Sequence, residues 1–332
     1  MFRLRFLLPI ASILGLFYLS LSLGDIKITQ AQLWDVLSLG PNLKGESLNL
    51  LIWHLRMPEI ILAFIVGGIL ALSGACLQHL LHNPLADPYL LGISSGSALG
   101  VAFAILFGFV GIYGMIALHL FGFAGAMLTL GLIYLFSRNQ DHFEMNHLLM
   151  VGLAINMIMH AGLQFLMSQN PTKLSIVWQW MNGHLSGKTW LEVGGLFFVL
   201  IFALFVLIPD RKALALLLSG EEIAYALGVD VNRLKKKVLL CISLIVASSV
   251  AICGMIALVG MIVPQLVRIS QPAMDDDFLI DCTLWGAVLL GICDLMVRIL
   301  PFPLYLGTLT NALGGVAFLV FYLKRLNGLI IR

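Results

Sequence analysis

RMPEIILAFIVGGILALSGACLQHLLHNPLADPYLLGISSGSALG, residues Arg56 to Gly100, reads as two apolar segments joined by a proline-rich turn. The first carries no charged side chain between Glu59 and its end near residue 80, which is enough helix to cross a hydrocarbon core of about 30 Å. Gly67, Gly68, Ser73, Gly74 and Ala75 give it a face of small residues, and Gly92, Gly96 and Gly100 recur at four-residue spacing on the second. Such faces let helix backbones approach closely in lipid. Between the two segments, Asn83, Pro84, Leu85, Ala86, Asp87 and Pro88 break the helix, and Asp87 stands where it can cap the next one.

The rest of the chain has the same texture. Of its 332 residues 60% are hydrophobic and 11% charged, with a mean hydropathy of +1.01, leaving too little polar surface to cover a soluble globule. No backbone group can go unpaired in hydrocarbon, so the spans must be helices. The alternating ten-residue strands of a membrane barrel are not seen. Apolar segments lie near 5–23, 56–80, 92–110, 113–136, 146–168, 190–208, 232–256, 259–270, 277–299 and 305–324. The eighth is too short to span and carries Pro264, which predicts a half-helix or a strongly broken one. The basic tip and apolar run at the start resemble a secretory signal but lack an A-x-A-like cleavage site, so residues 5–23 read as the first span. The fold class is all-α, a single polytopic domain of about ten transmembrane helices over residues 1–332.

Charge sets the orientation. With an even number of spans both termini share a side. Starting in the cytoplasm places Lys27, Lys44, Arg56, Lys173, Lys188 and Arg298 outside and the remainder of the 19 basic residues inside. The densest basic stretch, residues 211–237, then falls in the cytoplasm. Two outer connections exceed what topology needs: 24–55, with a possible helix at Ala31 to Leu39, and 169–189. The net charge of +2 implies no nucleic-acid partner. Cys76, Cys241, Cys253, Cys282 and Cys293 lie in or beside apolar runs without CxxC spacing, which fits buried thiols.

Two further stretches stand out. In SGEEIAYALGVDVNRLKKK, Ser219 to Lys237, an acidic start and the run IAYAL predict a brief amphipathic helix ended by Gly228, followed by a basic cluster. A short helix of that kind in a cytoplasmic loop suits either docking of a soluble partner or an interfacial position. GMIALVGMIVPQLVR, Gly254 to Arg268, is a broken helix, and irregular backbone at membrane depth tends to line cavities or gates.

Taken together, these residues resemble the FecCD/BtuC-type permease family, the membrane subunits of ATP-driven importers for iron complexes, haem and vitamin B12. The matching positions are Arg56, Pro58, Gly67, Gly74 and Gln78, NPLADP with Leu91 and Gly92, and Trp180 and Gly183. They continue with Ala224, Leu227, Gly228, Val229, Gly254, Val259, Gly260, Pro264, Arg268, Gly307, Thr310 and Gly314. The resemblance implies a homodimer with its pathway on the two-fold axis, two cytoplasmic ATPase subunits that hold the ATP and Mg, and an external binding protein. It implies that the chain itself binds no cofactor or metal. It also implies an inner-membrane location and a coupling segment at about 210–231. Within that segment Ser219, Gly220, Glu221, Glu222, Ala224, Leu227, Gly228 and Val229 would seat in the ATPases. The turn from Ser137 and Arg138 to Asn146 and His147 would contribute to the cytoplasmic gate, and Arg56 and Arg298 would meet the binding protein. Departures are Glu59 in place of a second arginine, Gln265 in place of a histidine, PLYLG at Pro303 to Gly307, and Val316 after Gly314 and Gly315. They touch docking and substrate, not the fold. Ferric siderophore is the first expectation for the cargo, with haem, cobalamin or another metal complex or oxyanion open.

In the fifth span Asn156, His160 and Gln164 recur every four residues and share one helical face. Polar groups are costly in lipid, so this face is expected to look into protein or water, as a translocation path or an interhelical contact. Asp294 and Arg298, four apart, suit an intrahelical ion pair. No GxxxxGK[ST] phosphate loop occurs, so any ATPase is a separate chain. An ion- or proton-coupled transporter would show intramembrane acids, and Asp294 is the single candidate. An intramembrane protease would need paired Asp, Ser-His or HExxH, and none is present.

Overall fold

A computed structural model describes residues 2–24, 26–41, 47–137, 145–270 and 275–326. The elements used below are α1 (Phe2–Ser22), α2 (Gln30–Leu39), α3 (Met57–Leu81), α4 (Ile93–Leu106), α5 (Met115–Ser137), α6 (Met145–Gln169), α7 (Leu174–Met181) and α8 (Trp190–Leu207). They continue with α9 (Arg211–Leu217), α10 (Glu221–Ala226), α11 (Val231–Cys253), α12 (Val259–Ser270), α13 (Phe278–Ile299) and α14 (Leu306–Leu326). Among the described residues seven helices are long and apolar enough to cross a membrane, and three shorter apolar helices, at Ile93–Leu106, Val259–Ser270 and Leu306–Val320, complete the bundle. The third expected segment, 92–110, is thus shorter than read. Its helix stops at Leu106, and Gly108 then turns the chain with φ 82°.

Local signals explain where the outer elements start. Thr29 caps α2, accepting from the Gln32 amide at 3.4 Å while Gln32 reaches back to the Thr29 amide at 3.0 Å. Thr189 and Glu192 form the same box at the head of α8. Asp230 Oδ1 caps α11 by accepting from the Arg233 amide at 3.0 Å.

α3 is the central helix, buried along nearly its whole length. Its small residues are where its neighbours touch it: Gly67 lies against the backbone of Gly286 in α13, and Gly74 against the backbone of Gly260 in α12. Gly96 and Gly100 of α4 meet Gly125 and Phe121 of α5 in the same way. Lipid tails are as apolar as these helices, so close backbone packing supplies the attraction that the hydrophobic effect gives in water.

Between α11 and α12 the chain is irregular from Gly254 to Leu258, with positive φ at both ends, and buried amides there need partners. The Tyr89 hydroxyl accepts from the Ile256 amide at 2.9 Å, and the Cys253 carbonyl accepts from His184 N at 2.9 Å. The Gly307 amide donates to Asn182 O at 2.9 Å. At the chain start, Arg5 pairs with Asp275 at 2.6 Å and with the fully buried Asp281, tying α1 to the head of α13. The hydrogen bond from Arg5 holds the Asp275 carboxyl below the usual range.

Candidate transport site

The turn from Asn83 to Pro88 is a clamp on α12. Asn83 Oδ1 accepts from the Leu85 amide at 3.0 Å, folding the turn back on itself. Asp87, 5% exposed, accepts from the Tyr89 amide at 2.9 Å and starts the short helical turn Pro88–Leu91. Burial pushes the Asp87 carboxyl up to about 6, partly offset by the Tyr89, Leu258 and Met261 amides. Gly92 follows at φ 73° and starts α4.

Pro264 has no N–H to give the carbonyl of Gly260, four residues back. Gln78 of α3 fills that vacancy: its Nε2 lies 3.2 Å from Gly260 O, 3.4 Å from Met261 O and 3.3 Å from Ala86 O. Its other end accepts from Arg268 Nη1 at 2.7 Å. Gln265, where the resemblance has a histidine, donates to the Pro84 carbonyl. α12 runs as one helix across Pro264, and it is held there by Gln78 of α3 and by the Pro84 carbonyl of the turn that precedes α4.

The segment at 210–231 folds as two short helices. In α10 Ala224 is fully buried, while Ile223, Tyr225 and Leu227 are 49%, 48% and 61% exposed. Glu221 is held by Lys235 at 2.6 Å, and Asp210 by Lys237 at 2.6 Å, so the basic cluster of α11 anchors the segment. Glu222 and Ser219 are exposed. Gly228 has φ 86°, a left-handed conformation that lets the chain leave α10 and that a β-carbon would strain.

On α6, Asn156 is half-buried with its β-carbon beside Gly92, whereas His160 and Gln164 are exposed on the side of the protomer. The four-residue spacing continues to an exposed Ser168. Of the gate residues, Arg138 lies outside the described residues. Ser137 ends α5, Asn146 lies in the first turn of α6, and His147 beside it is partly buried.

Four of the outer basic residues, Arg56, Lys173, Lys188 and Arg298, are turned into the protomer, whereas Lys27 is exposed and Lys44 lies outside the described residues. Arg56 is 6% exposed and gives its guanidinium to Leu21 O at 2.6 Å and to Ile26 O. That places it under the α1–α2 connection instead of at an open mouth. Arg56→Ala would strand two inward carbonyls that now receive charge-assisted bonds. A loss of about 2 kcal/mol is expected, read as a lower thermal midpoint in detergent. Arg298 pairs with Asp294 at 2.8 Å and with Glu59 at 3.4 Å. Glu59 in turn accepts from Ser186 Oγ at 2.7 Å. Lys173 donates to Ile105 O at 3.1 Å and Leu106 O at 3.0 Å, closing the end of α4. Lys188, 2% exposed, is also inside, and burial pushes its ammonium below the usual lysine range. Of these inward roles the spacing of Asp294 and Arg298 announced one, and glycines at 183 and 187 mark the loop that carries Lys188 as irregular.

This arrangement, a glycine-seamed bundle with a clamped half-helix and a short helix projecting from its loop, matches a known family along nearly its whole length. The model of the FecCD transport family matches residues 12–324. The chain belongs to that family. It is 33% identical over 335 residues to the hemin transport system permease protein HmuU of Yersinia pestis, covering 97% of this chain and 95% of the relative. It is 32% identical over 280 residues to the cobalamin import system permease protein BtuC of Halobacterium salinarum, covering 84% of this chain and 74% of the relative. Among solved structures, an inward-facing metal-chelate type ABC transporter superposes with a TM-score of 0.83 at 26% identity, covering 98% of this chain and all of that one.

Proposed function

We propose that this FecCD-family chain is the permease subunit of an ATP-binding cassette importer that carries a metal chelate across the inner (plasma) membrane. Ferric siderophore is the first candidate cargo, with haem, cobalamin or another metal complex or oxyanion as the alternatives. The reading includes a single permease domain, a homodimer, two separate ATPase subunits bearing the ATP and Mg, and an external binding protein. Both termini are cytoplasmic.

The observation that carries the proposal is α10. A loop helix with one side pinned by Ala224 and Lys235 and the other presenting Ile223, Tyr225 and Leu227 is a docking surface for a soluble partner. Residues Ser219 to Val229 are then what the ATPases push. The stripe on α6 supports the second part: an imidazole and an amide exposed on a membrane helix call for water or a second copy beside them. Asn156, His160 and Gln164 would line the path on the dimer axis. Arg298, held by Glu59 and Asp294, offers the binding protein a partly neutralised surface.

The test is reconstitution with the neighbouring ATPase and binding protein in proteoliposomes. Uptake of the chelate retained by the binding protein should need ATP and stop with vanadate. Gradient-driven, vanadate-insensitive uptake would instead establish a secondary transporter. In the same system His160→Cys and Gln164→Cys should react with a water-soluble maleimide, and Phe198→Cys, on the exposed face of α8, should not. Absence of labelling at both positions would place the stripe in a dry contact.

A further inference from the structure

We infer that His82 is the positioning residue that ties the coupling segment to α12, the half-helix that carries Pro264, an inference that rests on the reading of α9 and α10 as the ATPase-docking element. His82 is the first residue after α3, and it sits in the left-handed region with φ 49°. A side chain bearing a β-carbon is disfavoured there, and glycine would be the relaxed choice. What histidine adds is a contact: its ring Nε2 donates to the carbonyl of Leu217, the last residue of α9. Leu217 is fully buried, and its carbonyl also receives the Gly220 amide at 2.9 Å, so the same oxygen fixes the turn that launches α10. A displacement of α10 that carries this turn along therefore pulls on the His82 ring.

His82 leads directly into the clamp. Two residues on, the Pro84 carbonyl receives Gln265 of α12, and four residues on, the Ala86 carbonyl receives Gln78 at 3.3 Å. Gln78 also holds the Gly260 carbonyl that Pro264 leaves without its helical donor, and lies beside the Met261 carbonyl. The bonds thus form a series from Leu217 O through His82 and the Asn83–Pro88 turn to α12. Apolar contact alone, here Leu214 and Leu217 against the bundle, would let α9 slide over the end of α3. A directional hydrogen bond sets its register. The neighbouring ion pairs, Glu221 with Lys235 and Asp210 with Lys237, hold the segment to α11, so His82 is the polar tie that runs from it toward α3.

The experiment uses the full importer in proteoliposomes and reads cargo taken up per ATP hydrolysed, a ratio that does not depend on how much protein folded. His82→Gly keeps the left-handed backbone and removes the donor, and uptake per ATP should fall about 3- to 10-fold, the range one hydrogen bond covers. His82→Gln, whose amide nitrogen can reach the same carbonyl, should restore most of it. Gln265→Ala should lower the ratio similarly, and the double variant should be no worse than either single, because the two act in series. The inference is overturned if His82→Gly keeps the wild-type ratio, if glutamine does not restore it, or if the two losses multiply. Wild type without ATP-driven uptake would overturn the permease reading itself, whereas normal wild-type uptake with an unchanged glycine variant would overturn this inference alone.

Discussion

Gly74→Leu is expected to leave essentially no folded protein after detergent extraction. The α-hydrogen of Gly74 faces the carbonyl of Gly260, and any β-carbon built there lands on that backbone. The obstacle is not a flexible side chain tip that can turn aside. α3 and α12 would have to separate, and the Gln78 bonds to Gly260 and Met261, already 3.2 and 3.4 Å long, would be lost with them. Overpacking a well-filled core costs about 1–3 kcal/mol when side chains can adjust, and a backbone collision exceeds that range. The loss of two buried hydrogen bonds adds to it. Size-exclusion profiles of a fluorescent fusion would show aggregate in place of a symmetric peak. Gly194→Leu, in α8 with open space around it, should run like wild type. A monodisperse Gly74 variant would mean that the α3–α12 seam is looser than described.

Leu227→Asp is expected to release the ATPase subunits while leaving the permease in the membrane. Leu227 is 61% exposed beside Tyr225 at 48%, and neither supports the bundle; that is the work of Ala224, Leu214 and Leu217. Central apolar anchors in an interface are worth about 2 kcal/mol or more, and a buried unpaired carboxylate adds its own desolvation cost, so affinity should fall at least about 30-fold. Co-purification of the ATPase and vanadate-sensitive uptake should both disappear. Among the acids of the same helix, Glu222→Lys probes docking better than Glu221→Lys, because Glu221 is held by Lys235 and its reversal would displace α10 as well. Retention of the ATPases by Leu227→Asp would remove α10 from the docking role.

What the sequence made legible were relations along a single helix. Continuous apolar runs located the spans, and the shortness of the eighth run announced a half-helix, although α12 continues across Pro264 and the irregular backbone precedes it at Gly254 to Leu258. The spacing of Asp294 and Arg298 announced a pair that the structure has at 2.8 Å. The ending of α10 at Gly228 was likewise written in a single residue type. Relations between helices were hidden, because a helix as evenly apolar as α3 does not reveal which side faces which neighbour. Gln78 looked like one polar residue near a helix end, and nothing local links it to a carbonyl 182 positions away. Arg56 looked like an outer charge because its acceptors, Leu21 and Ile26, are backbone atoms without a sequence signature. The glycine repeat on α4 was visible, but its partners on α5 were not.

The polar stripe of α6 bears on how the protein is made. A newly inserted copy, alone in the bilayer, would turn His160 and Gln164 toward acyl chains that offer no hydrogen bonds. In the homodimer proposed above, association with a second copy would hide those groups, and the solitary chain would be the species that a membrane-embedded protease or holdase can tell apart. Production in excess of pairing would then be self-correcting, and the amount of permease in the cell would follow the encounter of two copies more closely than the rate of synthesis.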